Sequence, residues 1–156
     1  MTRRLAPALA VLLLAGCATT VTVPVAPHAQ DPDCARVVLA LPETLGGQPR
    51  LRTSSQATRA WGEPEAPVVL RCGVEPPPPT TESCTTADDL QGTAVDWVAV
   101  EDERGWTFTT YGRDPAVEVL VPAAVAEARS TSFLLELGPA VSLVEATRSC
   151  IGLADL

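Results

Sequence analysis

Cys17 follows directly on an apolar run with small residues at its end. Residues 1–17 open with a positively charged segment, and the apolar run extends from Leu5 to Leu14. A membrane-spanning helix needs about 20 apolar residues, so this shorter run is typical of a secretory signal peptide. The closing Leu14-Ala15-Gly16-Cys17 has the form of a bacterial lipobox. In such a motif the cysteine sulfur forms a thioether to diacylglycerol and becomes the first residue of the mature chain.

Lipidation of Cys17 would anchor the protein stably in the membrane, because two acyl chains give stable attachment whereas a single chain binds only reversibly. We therefore expect residues 1–16 to be a lipoprotein signal peptide and the protein to lie on the extracytoplasmic face of the cell membrane. The alternative is an ordinary secreted protein with a chance cysteine near the cleavage point. Residues 17–33 are rich in Thr, Pro, Val and Ala without a periodic pattern, and they predict a flexible tether. His28 lies in this tether, and we assign it no function.

The cysteines beyond Cys17 are even in number, which in an exported chain indicates disulfide bonds. They are Cys34, Cys72, Cys84 and Cys150. Three pairings exist. One joins Cys34 to Cys72 and Cys84 to Cys150; a competing one joins Cys72 to Cys84 and Cys34 to Cys150. Spacing alone does not choose between them. A zinc site is not expected, because the chain has no CxxC pair and no histidine nearby.

Composition excludes several enzyme classes and one class of partner. The chain of 156 residues carries 11 basic residues, all arginine, against 19 acidic residues, for a net charge of −8. Without lysine there is no Schiff-base chemistry, and the acidic balance argues against nucleic acid as a partner. Nothing after Cys34 is a histidine, which removes Ser-His-Asp and Cys-His catalysis. We predict no catalytic residue, no metal, no cofactor and no enzymatic activity.

Carboxylates are the remaining groups that could act as acids, bases or weak Ca²⁺ ligands. They cluster in Glu101-Asp102-Glu103 and in Asp88-Asp89. The first cluster falls in a predicted hairpin turn, where charged side chains are simply solvated, and we interpret the second in the same way.

Two arginines and two tryptophans form the candidate ligand site. Arg71 interrupts an apolar segment beside Cys72, and Arg113 lies in a turn. With Trp61 and Trp106 as walls, the two guanidinium groups could bind a small anionic molecule.

A structural interpretation of the same residues stands beside this one. A buried unpaired charge is costly, so Arg71 must reach solvent or pair with a carboxylate, for which Asp96 and Glu118 are candidates. Trp61 could equally cap one end of the core.

The periodicity of apolar residues predicts the elements that would position these side chains. We expect a helix over residues 33–41, irregular chain over 49–61, a buried strand over 67–73, a three-stranded meander over 93–101, 106–111 and 117–121, a further strand over 131–137 and a helix over 140–148. Together they predict an α+β fold. A small antiparallel sheet of four or five strands packs against two helices, is stapled by disulfides, and forms a single domain over residues 34–156.

Several segments of the chain carry a family resemblance. They are Cys34-Ala35 with Leu41-Pro42-Glu43-Thr44-Leu45-Gly46-Gly47, Ala60-Trp61-Gly62-Glu63-Pro64 leading into Val68-Val69-Leu70-Arg71-Cys72-Gly73-Val74, Val95-Asp96-Trp97, and Trp106 to Val119. In these the chain resembles domain of unknown function 3515, an uncharacterised family of exported actinobacterial proteins. The resemblance implies a small extracytoplasmic domain, often lipid-anchored, with no assigned activity. It favours pairing Cys34 with Cys72, since both lie in family-like segments, which leaves Cys84 for Cys150.

The sequence therefore predicts a lipid-anchored, non-catalytic domain that binds an unidentified partner protein or another component of the cell envelope. The alternative is an accessory lipoprotein that binds a small anionic molecule or an envelope glycan through Arg71, Arg113, Trp61 and Trp106.

Overall fold

A computed structural model describes residues 19–80, 82–89, 92–128 and 131–151 of the chain. Cys17 and the predicted signal peptide lie outside the described residues. In chain order the strands within those ranges are β1 Thr20–Val21, β2 Thr44–Leu45, β3 Gln48–Thr53, β4 Thr58–Trp61, β5 Val68–Val74, β6 Ser83–Asp88, β7 Ala94–Asp102, β8 Gly105–Thr110 and β9 Ala116–Pro122. The helices are α1 Pro32–Ala40, α2 Ala123–Ala128 and α3 Leu134–Val141, and a 3₁₀ turn spans Thr131–Phe133. In this part of the chain, no helix has both the length and the apolar character to cross a membrane.

The described strands form one mixed sheet in the order β1-β3-β4-β5-β9-β8-β7-β6, with β2 paired to β3. The β1–β3 pair is parallel, and the pairs from β3 to β6 are antiparallel. The prediction of a small antiparallel sheet with four or five strands against two helices is therefore wrong. The described residues contain nine strands and three small helices, and the fold is mostly sheet.

The strands that the sequence did not predict are short or expose many polar side chains. In β3, Pro49 and Arg50 are exposed, and in β6 most positions face solvent. Such strands lack the apolar alternation that marks a half-buried strand. The predicted meander did show it, and β7, β8 and β9 pair in sequence as expected.

The C-terminal elements also differ from the prediction. Thr131 to Leu137 was expected as a strand, but it forms the 3₁₀ turn and the start of α3. Residues 140–148 were expected as a helix, but α3 ends at Val141 with Pro139 inside it. A short apolar run fits a buried strand and a buried helix equally well, so periodicity could not separate them.

Helix α1 begins one residue earlier than predicted, and Asp31 caps it. The Asp31 side chain accepts a hydrogen bond from the Asp33 backbone N–H at 2.8 Å. Pro32 occupies the first turn, where its missing N–H costs no hydrogen bond.

The main core lies between the sheet and helices α1 and α3. Trp61, Leu70, Trp97, Val37 and Leu137 are fully buried in it. The Cys34–Cys72 disulfide crosses this core and ties α1 to β5, with both cysteines inaccessible to solvent. A second disulfide, Cys84–Cys150, ties β6 to the C-terminal segment. These are the pairs that the family resemblance favoured.

The segment predicted as a flexible tether packs against the sheet. Val23 is buried with Ala60 and Val69 of β4 and β5, and Ala26 is buried in a second small cluster. The His28 backbone N–H donates to the Gly73 carbonyl oxygen at 2.8 Å. From Thr20 onward the chain therefore belongs to the folded domain, which begins before residue 34. Composition suggested a linker, whereas β-branched and small residues at this position fill the face of the sheet opposite the helices.

Candidate functional site

Arg71 is engaged by Glu118 on the neighbouring strand. The two residues are register partners on β5 and β9, and the Arg71 Nε and Nη2 atoms lie 2.8 and 2.6 Å from Glu118 Oε1. Both side chains are largely buried, at 21% and 15% exposure. Of the two predicted partners, Glu118 is the one that pairs. Asp96 instead accepts hydrogen bonds from the Thr86 hydroxyl and the Cys150 backbone N–H.

Arg113 is buried and serves to hold the C-terminal segment against the meander. Its Nη1 donates to the Val144 carbonyl oxygen and its Nη2 to the Ala94 carbonyl oxygen. Burial lowers the pKa of the Arg113 guanidinium, and the nearby Asp96 carboxylate partly offsets that effect. A guanidinium committed to two carbonyls inside the protein is not free to bind a solute.

The two tryptophans of the predicted site lie apart from the arginines. Trp61 is fully buried, and its indole Nε1 donates to the Pro42 carbonyl oxygen at 3.1 Å. Trp106 is half-buried and stacks on Phe108 with ring centroids 5.8 Å apart. The structure therefore does not bring Arg71, Arg113, Trp61 and Trp106 together into one pocket, and each has a structural partner of its own.

A small apolar pocket opens beside Trp61, between β4, β5 and helix α2. It has a volume of about 200 Å³ and is walled by Val68, Val125 and Phe133, with Gln48 and Glu63 at its polar side. Pockets for drug-sized ligands measure about 300–1,000 Å³. This pocket could take only a small apolar group.

A different set of arginines lines an open depression on β1, β3 and β4, at the β1 end of the sheet. We call Arg50, Arg52 and Arg59 the arginine face. The depression has a volume of about 410 Å³ and includes Thr20 of β1. Arg50 and Arg52 lie two residues apart on β3, so they share one face of the strand.

The arginine face is drawn together by the β3–β4 hairpin. Arg50 pairs in register with Trp61 and Leu51 with Ala60, and the next step along the hairpin sets Arg52 opposite Arg59. Arg50 Nη1 lies 2.7 Å from Glu43 Oε1, and Arg59 Nη1 donates to the Thr58 carbonyl oxygen at 3.0 Å. The Nε atom of Arg59 is buried with no hydrogen-bond partner among the described residues.

Like charges are close to one another in the arginine face. The pKa of Arg59 is lowered mainly by burial and further by the charge of Arg50, while Glu43 acts in the opposite direction. An anion in the depression would relieve this repulsion. The sequence analysis did not find this site, because it predicts irregular chain over residues 49–61. The spacing of Arg50 and Arg52 indicates a shared face only if residues 49–53 are assumed to form a strand.

The carboxylate clusters considered above are surface features. Glu101, Asp102 and Glu103 are exposed, as expected for a solvated turn, and Asp102 Oδ2 lies 2.7 Å from Arg104 Nη2. Over the described ranges, no three His, Cys, Asp or Glu side chains are grouped in a way that could hold a metal ion.

Comparison with known proteins yields one match. A sequence model of the family described as "Protein of unknown function (DUF3515)" matches residues 6–149. No curated protein and no solved structure matches the chain.

Proposed function

The chain belongs to the family of proteins of unknown function DUF3515, and we propose that it is a lipid-anchored, non-catalytic domain on the extracytoplasmic face of the cell membrane, where it binds another envelope component. The observation that supports the proposal most directly is that four of the five cysteines form disulfides and the fifth lies in the lipobox-like motif. Four are joined in two disulfides, which form and persist in oxidising compartments. Cys17 stands alone at the end of the lipobox-like motif.

The non-catalytic part of the proposal is supported by how the polar side chains are used. Arg71 is committed to Glu118, and Arg113 is committed to backbone carbonyls. His28 lies at the surface with its Nε2 2.8 Å from Glu75 Oε1. Neither arginine can act as a general base, because a guanidinium stays protonated, and the His28–Glu75 pair lies on the exposed surface.

The experiment is to express the full chain in a bacterium that processes lipoproteins and to determine the mass of the mature N-terminal peptide. We expect cleavage before Cys17 and a diacylglycerol-sized mass increase on that residue. The matched control is Cys17→Ser, which keeps the signal peptide but offers no thiol. It should be neither acylated nor processed at that site. Cleavage elsewhere, with an unmodified Cys17, would refute the anchor.

Affinity capture tests the binding part of the proposal. The acylated protein is isolated from gently solubilised membranes, and retained molecules are identified by mass spectrometry. A stoichiometric protein companion supports an interaction domain. A retained small anion or glycan without a protein supports the alternative, an accessory ligand-binding lipoprotein. Of the cationic sites described above, only the arginine face would remain to hold such a ligand.

A further inference from the structure

The arginine face lies close to the point where the chain would leave the membrane. Thr20 of β1 is the register partner of Arg52. Cys17 precedes Thr20 by three residues, and an extended chain advances at most about 3.6 Å per residue. Whatever path those residues take, the length of three residues limits the backbone distance between the anchored cysteine and Thr20 to about 11 Å. The packed N-terminal segment leaves no long spacer between the bilayer and this edge.

Charge distinguishes this edge from the rest of the protein. The chain is acidic overall, with a net charge of −8. Several arginines elsewhere are each neutralised by a carboxylate: Arg36 by Asp33, Arg71 by Glu118, and Arg104 by Asp102. Among the described residues, Arg52 and Arg59 form no ion pair, and the one carboxylate paired within the face, Glu43, is paired with Arg50. The arginine face is therefore a local positive surface on a negative protein.

We propose that the arginine face docks on the anionic phospholipid headgroups of the membrane that carries the Cys17 anchor; this inference rests on the proposed lipid anchor. Arg50 and Arg52 are exposed, and Arg59 forms the half-buried floor of a depression. Guanidinium groups bind phosphate through parallel N–H donors. Arg52 forms no ion pair among the described residues, while Arg50 and Arg59 each use Nη1 on a partner within the protein, so the donors that these two bonds leave over are the ones offered to headgroup phosphates. An attachment of at most about 11 Å is comparable to the Debye length of about 8 Å at physiological ionic strength, so the face can come close enough to the headgroups for their potential to act on it.

Local charge supports an anionic occupant of the depression. Among the described residues Arg52 and Arg59 form no ion pair, and the charge of Arg50 contributes to the lowered pKa of Arg59. A phosphate at the depression would supply the missing counter-charge.

The test is arginine footprinting of the acylated full-length protein on vesicles. The protein is reconstituted on vesicles of phosphatidylcholine alone or of phosphatidylcholine mixed with phosphatidylglycerol, and treated with phenylglyoxal. Modification of each arginine is followed by mass spectrometry. We expect Arg50, Arg52 and Arg59 to react at least about fivefold more slowly on the anionic vesicles, the factor that corresponds to about 1 kcal/mol for one basic residue at an anionic surface. Arg36 and Arg104 should react equally on both and serve as internal references.

Charge-matched variants separate docking from general electrostatics. R52Q/R59Q should abolish the protection of Arg50, whereas R36Q/R104Q, with the same change in net charge, should retain it. Near-ultraviolet circular dichroism and the melting temperature check that both variants fold. Salt at about 1 M, which shortens the Debye length to about 3 Å, should remove the protection from the unmodified protein.

Different failures have different meanings. If the N-terminal peptide is not acylated and the protein leaves the vesicles, the proposed anchor fails. If the protein is acylated but all arginines react equally on both vesicle types, the anchor stands and docking is refuted. If inorganic phosphate protects the arginine face on neutral vesicles as fully as phosphatidylglycerol does, docking is also overturned, and the depression is a site for a soluble anion.

Discussion

Arg71 and Glu118 face each other on β5 and β9, and a single carboxylate oxygen, Glu118 Oε1, accepts from both Nε and Nη2 of the guanidinium. The pair lies on the sheet face opposite the main core, since its neighbours Leu70 and Cys72 point into that core. A charged side chain in an apolar strand thus has a structural reason.

Replacement of Arg71 should lower stability. Hydrogen bonds to charged groups contribute about 1.5–3 kcal/mol, so we expect Arg71→Ala to reduce the free energy of unfolding by about 2 kcal/mol. Glu118→Ala should cost a similar amount. The double variant should cost clearly less than the sum, because either single change already breaks the pair. Urea denaturation of the four proteins measures this coupling. Strict additivity, or an Arg71→Ala variant as stable as the parent, would contradict a structural role.

Some of the fold could be predicted because its residues alternate. Val95, Trp97 and Ala99 point to one side of β7 and are buried, as are the alternating Val117, Val119 and Val121 of β9. This alternation predicts both that the segment is a strand and which of its two faces is buried. The other strands depend on tertiary contacts, which leave no periodic pattern in the sequence. Thr20 and Val21 form a strand only because β3 offers an unpaired parallel edge, and two residues carry no periodicity.

One of the candidate sites could likewise be predicted from the sequence, and the other could not. Arg71 and its partner Glu118 could be foreseen, because an unpaired charge on a buried strand is costly. The arginine face could not, since Arg50 and Arg59 are brought together by a hairpin in a segment that is polar and contains Pro49. The outer side of β3 is covered only by the two-residue strands β1 and β2, and a strand so close to the edge of a sheet buries little surface and has no need of apolar alternation.

At Gly73 the N-terminal segment lies directly against the sheet. Its φ is +94°, and an added Cβ would stand 2.4 Å from the His28 carbonyl carbon. Gly73→Ala should therefore cost about 3 kcal/mol or more, through backbone strain and displacement of the segment. Hydrogen exchange of the amides in residues 20–30 should accelerate with it.

Gly47→Ala is the matched control for this prediction. Gly47 also has a positive φ, +75°, but an added Cβ would meet no atom within 4 Å. It should cost only about 1–2 kcal/mol of backbone strain, with no change in exchange at residues 20–30. If Gly73→Ala and Gly47→Ala behave alike, the close contact with His28 does not hold the segment in place.

The turn between β7 and β8 predicts a local effect of pH. Hydrogen bonds from the Arg104 side chain and backbone hold the pKa of Asp102 below its usual value. A depressed pKa in the folded state means that the interaction contributes above the unfolded-state pKa and is lost as pH falls through the folded-state value. R104Q should raise the Asp102 pKa toward about 3.9, the ordinary aspartate value. Carboxyl ¹³C titration by NMR measures it. Glu103→Gln changes the charge in the same turn without breaking these bonds and should leave the Asp102 pKa much closer to the parent value.

The two disulfides should differ in their resistance to reduction. Cys34 and Cys72 are both fully buried in the main core, whereas Cys84 and Cys150 are partly exposed at the rim of the sheet. A thiolate must reach a sulfur atom to attack it, so reduction of Cys34–Cys72 requires the core to open. Under a low concentration of reductant at neutral pH, we expect alkylation at Cys84 and Cys150 first. Alkylation at Cys34 and Cys72 should follow only at the rate of unfolding.

Variants in which each pair is replaced by alanine test whether the order reflects burial. Both disulfides close long loops, with sequence separations of 38 and 66 residues, and the loop-entropy estimate gives each about 4 kcal/mol. Because the estimates are so similar, Cys84→Ala/Cys150→Ala should lower the free energy of unfolding by about as much as Cys34→Ala/Cys72→Ala, apart from the cavity that the second leaves in the core. In the first variant, Cys34–Cys72 should be reduced faster, in proportion to the increase in unfolding rate. If Cys34–Cys72 were instead reduced first in the parent protein, access through the native core would have to exist, and the buried position of that pair would be wrong.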